Sequence, residues 1–564
     1  MHRLWETAEL IERIFDHLDN GEPPGVNANS SQPALSTLPT LARTCKLFLP
    51  QANRIIWRRL PDLQTLLINI IPESLWLDAK ADNRLQGATH SRTVTLSSSF
   101  GVDDLEKLLE RSDLVQEFGT RRLGRINRKF KIVNDGYDRL FSFLPAAQSL
   151  LPRLQVVDMS MELFELRGSQ ARLVLGENLP IERLRIADCT NKERTLMFWT
   201  EWISILASAN LRNIISFQTS LVVVDTLSYY VPLDIRSLSQ LIRPAQLKEL
   251  DLGSFKLIEY DAIVDLGLIP KLQNLVLNIS HFDQFEPPPP PMQQHLIYFS
   301  NLKNVTIIAD SPRALCDFVS LLILVALESF TIERSERNHS WDVNDIFAVI
   351  GQLNPCLQEL ALRNDEFADA FRRYNANTTD LKYKALEHLN RLGALTSLHI
   401  RLGCRVVLED IDLIKVATFH PRLRSLQLYD REVATTSEIT PGGVLAMTSA
   451  LTNLQDLAVR FNASQDSSFP QAGQIVPHQK LTSWDVCTSN VEESGRLTAF
   501  LRTAFPSLEY LDIGWEYVDG LGADVEPVYD FSDQADRAHI SSSTWTEIYT
   551  LSRLRRHRQR SASH

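Results

Sequence analysis

Apolar side chains recur along the chain in a short triplet, with members at positions i, i+3 and i+5. In an extended strand the last two members point to the same side of the backbone, so each triplet predicts a short strand with one buried face. The complete copies are Leu154/Val157/Met159, Ile181/Leu184/Ile186, Leu247/Leu250/Leu252, Leu272/Leu275/Leu277, Leu302/Val305/Ile307, Leu327/Phe330/Ile332, Leu357/Leu360/Leu362, Leu395/Leu398/Ile400, Leu423/Leu426/Leu428, Leu454/Leu457/Val459, Leu481/Trp484/Val486 and Leu508/Leu511/Ile513.

The triplets are spaced regularly enough to predict a repeat. Leu211/Ile214 is interpreted as a broken thirteenth copy with Ser216 at its last place. The first positions then run from Leu154 to Leu508 in twelve steps over 354 residues, or about 29.5 residues each. Proline stands two residues before the first position in five copies, where 26 prolines in 564 residues predict about 0.6 by chance. These prolines are Pro152, Pro270, Pro355, Pro421 and Pro506.

Helical spacing of apolar residues separates many of the triplets, as in Ile346, Phe347, Val349, Ile350 and Leu353. A strand plus a helix of this size cannot bury its apolar face alone, so neighbouring units are expected to stack. Over about 360 residues the chain resembles the leucine-rich-repeat family. The resemblance implies an α/β solenoid with a parallel concave sheet and outer helices.

The first 60 residues break the repeat and show helical periodicity instead. Three short helices are predicted, the first with Leu10, Ile11, Ile14, Phe15 and Leu18 on one face. The second pattern includes Leu38, Leu41, Ala42, Cys45, Phe48 and Leu49, and the third includes Ile55, Ile56, Trp57 and Leu60. Such a small unit exposes part of its apolar surface, which favours docking on a partner.

Residues 9–18 (ELIERIFDHL), 41–48 (LARTCKLF) and 56–60 (IWRRL) look like an F-box in the form common in fungal proteins. Two features depart from the family: Ala8 stands where it has proline, and the loop from Asn20 to Thr37 is long. The resemblance implies binding to a Skp-type adaptor and, through it, to a cullin. The matching positions that would include the adaptor-contacting surface are Leu10, Ile11, Ile14, Phe15, Leu18, Leu41, Cys45 and Trp57.

The domain organisation follows from these patterns. An F-box-like helical module is predicted over 1–62, a linker and N-terminal cap over 63–150, leucine-rich repeats over 151–520 and a charged tail over 521–564. Five consecutive prolines, 287–291, predict a stiff loop or a ligand for an SH3-type or WW-type domain. The basic residues between 121 and 131 and the arginine run near the C-terminus are interpreted as solvated charges. The alternative for the arginine run is a nuclear address or a weak nucleic-acid contact.

Composition narrows the functional class. The formal charge of −11 disfavours general affinity for nucleic acid or an anionic membrane. The six cysteines are far apart, lack metal-ligand spacing and are interpreted as reduced core residues. We find no secretory signal, no apolar run long enough to span a bilayer and no catalytic or phosphate-binding motif. The sequence predicts an intracellular, non-catalytic protein without a cofactor or metal.

A candidate substrate surface comes from the alternation of strand residues. Positions i+2, i+4 and i+6 face away from the buried side, and four consecutive repeats place Arg363, Arg401, Tyr429 and Arg460 at i+6, with His399 at i+4. We expect this basic row to receive an acidic or phosphorylated segment, with Glu359 and Asp456 countering its charge. The alternative is a solvated strand face with local salt bridges. An earlier strand carries Glu249 and Asp251 at the corresponding positions. This face is therefore predicted to be acidic in that part of the repeats and basic in the later part.

The resemblance to an F-box followed by leucine-rich repeats implies substrate recognition in a Skp/cullin/F-box-type ubiquitin ligase. The F-box would bind the adaptor, and the repeats would bind a protein substrate. The alternative is a leucine-rich-repeat interaction scaffold whose degenerate F-box does not join a ligase. A third class, an enzyme, would require a pocket of perturbed titratable groups that the sequence does not announce.

Overall fold

The structure, a computed structural model, places the chain in two units. Unit 1 comprises residues 1–254 with 269–272, and unit 2 comprises 255–268 with 273–564. The residues that the structure describes are 40, 43, 48–60, 62–79, 92–119, 130–145, 148–160, 173–175, 179–187, 214–220, 246–253, 260–279, 296–334, 341, 343–364, 380–402, 404–429, 437–464, 469–487, 489–491 and 494–512.

Unit 1 combines a parallel sheet with a smaller three-stranded sheet and four described helices. Its elements are α1 (Leu49–Arg58), β1 (Arg59–Leu60), α2 (Leu63–Ile70), β2 (Trp76–Asp78), β3 (Arg92–Leu96), α3 (Val102–Ser112), β4 (Glu117–Phe118), β5 (Phe130–Ile132), α4 (Asn134–Phe143), β6 (Val156–Ser160), β7 (Arg183–Ala187), β8 (Ser216–Ser220) and β9 (Glu249–Leu252). The parallel sheet has the order β1-β4-β6-β7-β8-β9, and the smaller sheet has the order β2-β3-β5.

Unit 2 repeats a strand, a helix or short strand, and the next strand. Its elements are α5 (Tyr260–Gly267), β10 (Asn274–Asn278), β11 (Ile297–Phe299), β12 (Asn304–Ala309), α6 (Pro312–Ser320), β13 (Leu322–Leu324), β14 (Ser329–Arg334), α7 (Val343–Ile350), β15 (Glu359–Asn364), β16 (Asp380–Lys382), α8 (Tyr383–Glu387), β17 (Ser397–Arg401), β18 (Arg405–Val407), α9 (Asp410–Phe419), β19 (Ser425–Leu428), α10 (Pro441–Ala450), β20 (Asp456–Val459), β21 (Asn462–Ala463), β22 (Ser483–Asp485), β23 (Asn490–Val491), α11 (Ser494–Ala504) and β24 (Tyr510–Asp512). Its parallel sheet has the order β10-β12-β14-β15-β17-β19-β20-β22-β24.

Where the structure describes their burial, the residues of the predicted triplets lie on the buried side of the two sheets, except Leu508, which is half-buried. The i+3 residues lie in register on neighbouring strands, as Leu360 pairs with Leu398 and Leu398 pairs with Leu426. All three are 0% exposed. We call the stack of i+3 side chains within each unit its leucine ladder. Burying a side chain of this size contributes about 1.5–3 kcal/mol, so the ladder explains why each strand takes this register.

A shared backbone acceptor secures the start of most strands in the two parallel sheets. The N–H groups of Thr396 and Ser397 both donate to the carbonyl oxygen of Gln358, at 2.7 and 3.0 Å. In unit 1, Gln155 and Val156 likewise both donate to the carbonyl of Gln116, at 2.8 and 2.9 Å. Because the acceptor stands at position i+1 of the preceding repeat each time, the triplet period is also the hydrogen-bonding period.

The recurring prolines start the turn that precedes a strand. The N–H of Leu357 donates to the carbonyl of Asn354 at 3.0 Å, and the N–H of Leu423 donates to that of His420 at 3.1 Å. Pro355 and Pro421 therefore occupy the second position of a four-residue turn. Proline suits this position because its fixed φ matches the turn and its missing N–H is not needed.

Two details of the predicted repeat are corrected by the structure. Leu184 pairs with Phe217, and Phe217 pairs with Leu250. The broken copy at Leu211/Ile214/Ser216 is therefore wrong by three residues, and the triplet is Ile214/Phe217/Thr219. The sheet of unit 1 also begins before residue 151, because Leu60 pairs with Phe118 and Phe118 pairs with Val157.

The expectation that the cysteines are core residues holds for two of the four that the structure describes. Cys404 and Cys487 are buried, Cys316 is half-buried and Cys356 is exposed. Cys356 lies in the turn before β15, where its N–H donates to Asn354 Oδ1 at 3.0 Å. Its position on a turn, rather than on a strand or helix face, explains its exposure. Cys45 and Cys189 lie outside the described residues.

Candidate binding face

The candidate binding face lies on unit 2, opposite the leucine ladder. Within β15 and β17, Arg363 pairs in register with Arg401, and Ala361 pairs with His399. His399 in turn pairs with Gln427 of β19. Parallel strands lie about 4.8 Å apart, so the two arginines are brought together as neighbours, as the period predicts. Arg363 is exposed, whereas His399 and Arg401 are half-buried.

Tyr429 packs beneath the guanidinium group of Arg401. The guanidinium carbon lies 4.8 Å from the centre of the Tyr429 ring, within cation–π range. Burial raises the pKa of the Tyr429 hydroxyl, as do the negative charge of Asp485 and a hydrogen bond to that carboxylate. The phenol therefore stays neutral and donates a hydrogen bond to the Asp485 carboxylate, while its ring packs against the Arg401 guanidinium.

Arg460 does not take the place expected for it in the basic row. Its side chain is only 4% exposed, so it does not present a cation to solvent as Arg363 does. The strand β20 ends at Val459, one residue before Arg460. Strand alternation therefore no longer sets the direction of the Arg460 side chain. Its carbonyl also accepts a hydrogen bond from Ser437 Oγ at 3.1 Å.

His399 lies at the centre of a group of polar side chains. Its Nε2 atom lies 3.0 Å from Ser397 Oγ and 2.9 Å from Ser425 Oγ. Gln427 Nε2 donates to the same Ser425 oxygen at 3.4 Å. We call Ser397, His399, Ser425 and Gln427 the His399 cluster. All four side chains are half-buried, so they are held in place yet partly accessible.

The charges around His399 shift the pKa of its imidazole in opposite directions. Burial lowers the pKa of its imidazole, the positive charge of Arg363 lowers it further, and the carboxylate of Glu359 raises it. The imidazole is therefore neutral at neutral pH. The carboxylate of Glu359 thus acts on His399, and burial raises the pKa of the Asp456 carboxyl.

The serines and the glutamine of the cluster are missed by sequence reasoning that follows charge. A usable signal existed, because Ser397, Ser425 and Gln427 occupy positions i+2 and i+4 of the repeats that carry the predicted arginines. Serine is common on solvated strand faces, so only the register of β17 against β19 shows that both hydroxyls meet one imidazole.

The corresponding face of unit 1 has a different charge pattern. Asp158, Arg185, Gln218 and Asp251 occupy position i+4 on four successive strands. Arg185 Nη1 lies 3.9 Å from Asp158 Oδ2. Burial raises the pKa of the Asp251 carboxyl, while the Gly253 N–H, 2.9 Å from Asp251 Oδ1, and the charge of Arg185 lower it. Opposite charges on nearby strands largely offset each other here.

The candidate adaptor-binding residues fall mostly outside the described part of the chain. This applies to Leu10, Ile11, Ile14, Phe15, Leu18, Leu41 and Cys45. Trp57 is described: it lies in α1 and is half-buried. Helix α1 buries Ala52 and Ile55 and continues directly into β1. The polyproline segment, the basic residues 121–129 and the C-terminal tail also lie outside the described residues.

The described residues also bear on metal binding and membrane insertion. Within them, no group of three or more His, Cys, Asp or Glu side chains is arranged to hold a metal ion. None of the described helices combines the length and apolar character needed to cross a bilayer.

No protein-family model matches the sequence, and no curated protein matches it. Among solved structures, the chain is similar to the TLR13-ssRNA13 complex, with 12% identity and a TM-score of 0.33 over 72% of this chain and 53% of that one. The chain thus spans about half the length of that TLR13 chain. It is similar to the Rad7 and Elc1 complex in yeast, with 14% identity and a TM-score of 0.29 over 66% and 85% of the two chains.

A third similar structure is the leucine-rich repeat-containing protein LegL7 from Legionella pneumophila. The identity is 12% and the TM-score 0.27, over 69% of this chain and 95% of that one. At these identities and TM-scores, similarity assigns neither a function nor a partner. The class is defined by the register and burial described above: this is an α/β protein of the leucine-rich-repeat type.

Proposed function

We propose that the chain is the substrate-recognition subunit of a Skp/cullin/F-box-type ubiquitin ligase. The adaptor would bind residues 1–62, and a protein substrate would bind the repeats. The observation that carries this proposal is the order of two features: an F-box-like sequence at the N-terminus, followed directly by parallel strands of the leucine-rich-repeat type. Ubiquitin transfer itself would be performed by other subunits.

The junction between these features supports the proposal. Helix α1, which carries Trp57, ends at Arg58, and β1 begins at Arg59 without a linker. Both arginines approach Glu117 on the neighbouring strand: Arg59 Nε lies 3.1 Å and Arg58 Nε 3.5 Å from its carboxylate oxygens. An adaptor bound to this helix would be joined rigidly to the sheet of unit 1. Rigid attachment raises the effective concentration of a substrate near the transfer enzyme.

The candidate binding face supplies a substrate surface. Arg363 and Arg401 are neighbouring cations on strands β15 and β17, next to the His399 cluster. Arginine pairs well with carboxylate and phosphate because its guanidinium presents a planar set of donors. The substrate segment bound here would be acidic or phosphorylated.

Adaptor capture by the full-length chain tests the proposal. The tagged protein is expected to retain a purified Skp-type adaptor, and Leu10→Asp and Phe15→Asp are each expected to abolish retention by placing a charge on an apolar contact. Val102→Asp is the matched control, because Val102 is an apolar residue of unit 1 that is 64% exposed. An unmodified chain that retains no adaptor would contradict the ligase role.

The second candidate is an interaction scaffold that does not join a ligase. Ala8 at the position of the F-box proline and the long loop from Asn20 to Thr37 favour it. In that case the full-length chain would bind a protein through its repeats without retaining the adaptor. The same capture experiment, with peptide binding measured in parallel, separates the two.

A further inference from the structure

The His399 cluster is arranged to donate hydrogen bonds to a ligand. Ser425 Oγ accepts from Gln427 Nε2 and lies 2.9 Å from His399 Nε2. When Nε2 carries a proton, it donates to a serine oxygen, and the protons of both serine hydroxyls can then point to another acceptor. The cluster thus gathers hydroxyl donors and an imidazole at one point on the strand face.

Two cations lie at position i+6 of strands β15 and β17, beyond His399 at i+4, whereas both serines stand at i+2. Arg363 lies on the strand beside His399, close enough to lower the pKa of the imidazole. Arg401 lies two residues after His399 on the same strand, and its guanidinium is supported by the Tyr429 ring. The neutral Tyr429 hydroxyl, bonded to Asp485, leaves the ring as a fixed surface under the guanidinium. Arg401 is therefore positioned by packing as well as by charge.

From this arrangement we propose that Ser397, His399 and Ser425, together with Arg363 and Arg401, bind the phosphate monoester of a phosphorylated protein segment in preference to a carboxylate. A phosphate monoester offers three strongly accepting oxygens and a charge near −2 at neutral pH. A carboxylate offers two oxygens and one charge. A strand face that combines hydroxyl donors with two guanidinium groups therefore matches the phosphate better. This inference rests on the proposed function only in that the segment belongs to a protein bound by the repeats.

The acidic residue Glu359 beside the cluster allows a test in which a substitution should increase phosphate affinity. Glu359 pairs in register with Ser397 across β15 and β17, and its charge acts on His399. A carboxylate in this place repels an anionic ligand. Neutralising Glu359 is therefore expected to strengthen phosphate binding, an effect that a damaged fold would not produce.

The test is fluorescence anisotropy of the full-length chain with labelled, short degenerate peptides that carry phosphoserine, serine or glutamate at the central position. The phosphoserine pool is expected to bind about tenfold tighter than the glutamate pool, since one charge-assisted hydrogen bond is enough for such a difference. Arg401→Gln and Ser425→Ala are each expected to weaken phosphoserine binding by about tenfold. Glu359→Gln is expected to tighten it by about threefold.

Arg185→Gln in unit 1 is the matched control, because it removes one arginine from the equivalent strand face without touching the cluster. It is expected to leave binding unchanged. Circular dichroism and thermal unfolding of each variant establish that the fold is retained.

Several results would overturn the proposal. They are the absence of peptide binding, equal affinity for phosphoserine and glutamate, insensitivity to Arg401→Gln, displacement by single-stranded RNA, and displacement by inorganic phosphate as readily as by free phosphoserine. Adaptor capture is measured independently of phosphopeptide binding, so the two proposals can fail separately. Loss of adaptor binding with intact phosphopeptide binding would reject the ligase role and leave this site in place, whereas the reverse result would reject the site alone.

Discussion

The polar strand faces of units 1 and 2 arise from the same repeat positions and carry different charge patterns. In unit 1, Arg185 approaches Asp158 on the preceding strand, so opposite charges pair. In unit 2, Arg363 and Arg401 are like charges in register, and His399 of the His399 cluster lies two residues before Arg401. Because strand spacing is the same, the choice of side chain decides whether neighbouring strands present opposite charges or like charges.

The buried sides of the two units, in contrast, are equivalent. Leu184 in unit 1 is 1% exposed and Leu398 in unit 2 is 0% exposed, and both stand at position i+3 of their triplets. Leu184→Ala and Leu398→Ala are therefore each expected to lower the free energy of unfolding by about 2–5 kcal/mol, through lost burial and a residual cavity. Urea unfolding followed by circular dichroism measures both.

The half-exposed Gln427 serves as the control for this comparison, and Gln427→Ala is expected to change stability by less than about 0.5 kcal/mol. A small effect of Leu398→Ala beside a large effect of Leu184→Ala would show that the two ladders are not equivalent.

Neighbouring repeats of unit 2 are also coupled through their helices. Asp410, at the start of α9, accepts hydrogen bonds from the N–H and the hydroxyl of Thr440, both at 2.7 Å, just before α10. A Cβ added at Gly443 would collide with the Asp410 carboxylate. Gly443→Ala is therefore expected to destabilise the fold by about 1–3 kcal/mol, because the carboxylate cannot move without losing its bonds to Thr440.

A double-mutant cycle checks this explanation. Once Asp410→Ala has removed the carboxylate, adding Gly443→Ala is expected to cost much less than it does alone. If the stability losses of the two single variants simply add in the double variant, a clash with the Asp410 carboxylate is not the cause of the Gly443→Ala effect.

A buried histidine gives unit 2 a dependence on pH. His420 is 2% exposed, and its Nδ1 lies 3.3 Å from the carbonyl oxygen of Leu392 in the preceding repeat. Burial lowers the pKa of His420 below its ordinary value of 6.5, and the bond to Leu392 opposes that shift. The unfolded chain then binds the proton more tightly than the fold does. The stability contributed by neutral His420 is present above the unfolded pKa and declines as pH falls below it.

Comparing the free energy of unfolding at about pH 7.5 and about pH 5.5 measures this effect. His420→Gln retains a donor for the Leu392 carbonyl and does not titrate, so the loss of stability on acidification is expected to be smaller in the variant. An identical loss in both proteins would assign the pH dependence to other groups.

The smallest expected effect concerns the ion pair of unit 1. The Arg185 side chain is 51% exposed, and its nearest nitrogen lies 3.9 Å from the Asp158 carboxylate. Solvent screens such a pair, so Arg185→Gln is expected to change the free energy of unfolding by about 0–0.5 kcal/mol. Thermal unfolding measures this change. A loss well above this range would show that the charges of unit 1 contribute to its folding rather than only offsetting each other.

Much of the fold could be predicted because strand alternation and apolar burial are local rules. The triplets at Leu357, Leu395 and Leu423 gave the correct buried faces and the correct pairing of Arg363 with Arg401. The triplet near Leu211 was placed three residues early. Apolar side chains stand at both 211 and 214, and only the pairing of Phe217 with Leu184 and Leu250 decides which is the first position of the triplet.

The amino-acid sequence by itself determined the repeat period, the residues of the leucine ladder and the strands that carry the arginines. Tertiary structure decided that Arg460 is buried and that Ser397 and Ser425 meet at His399. The physical reason is the range of the interactions. Alternation within a strand is set by neighbours in the chain, whereas the bond between His399 and Ser425 joins residues 26 positions apart and depends on how two strands align.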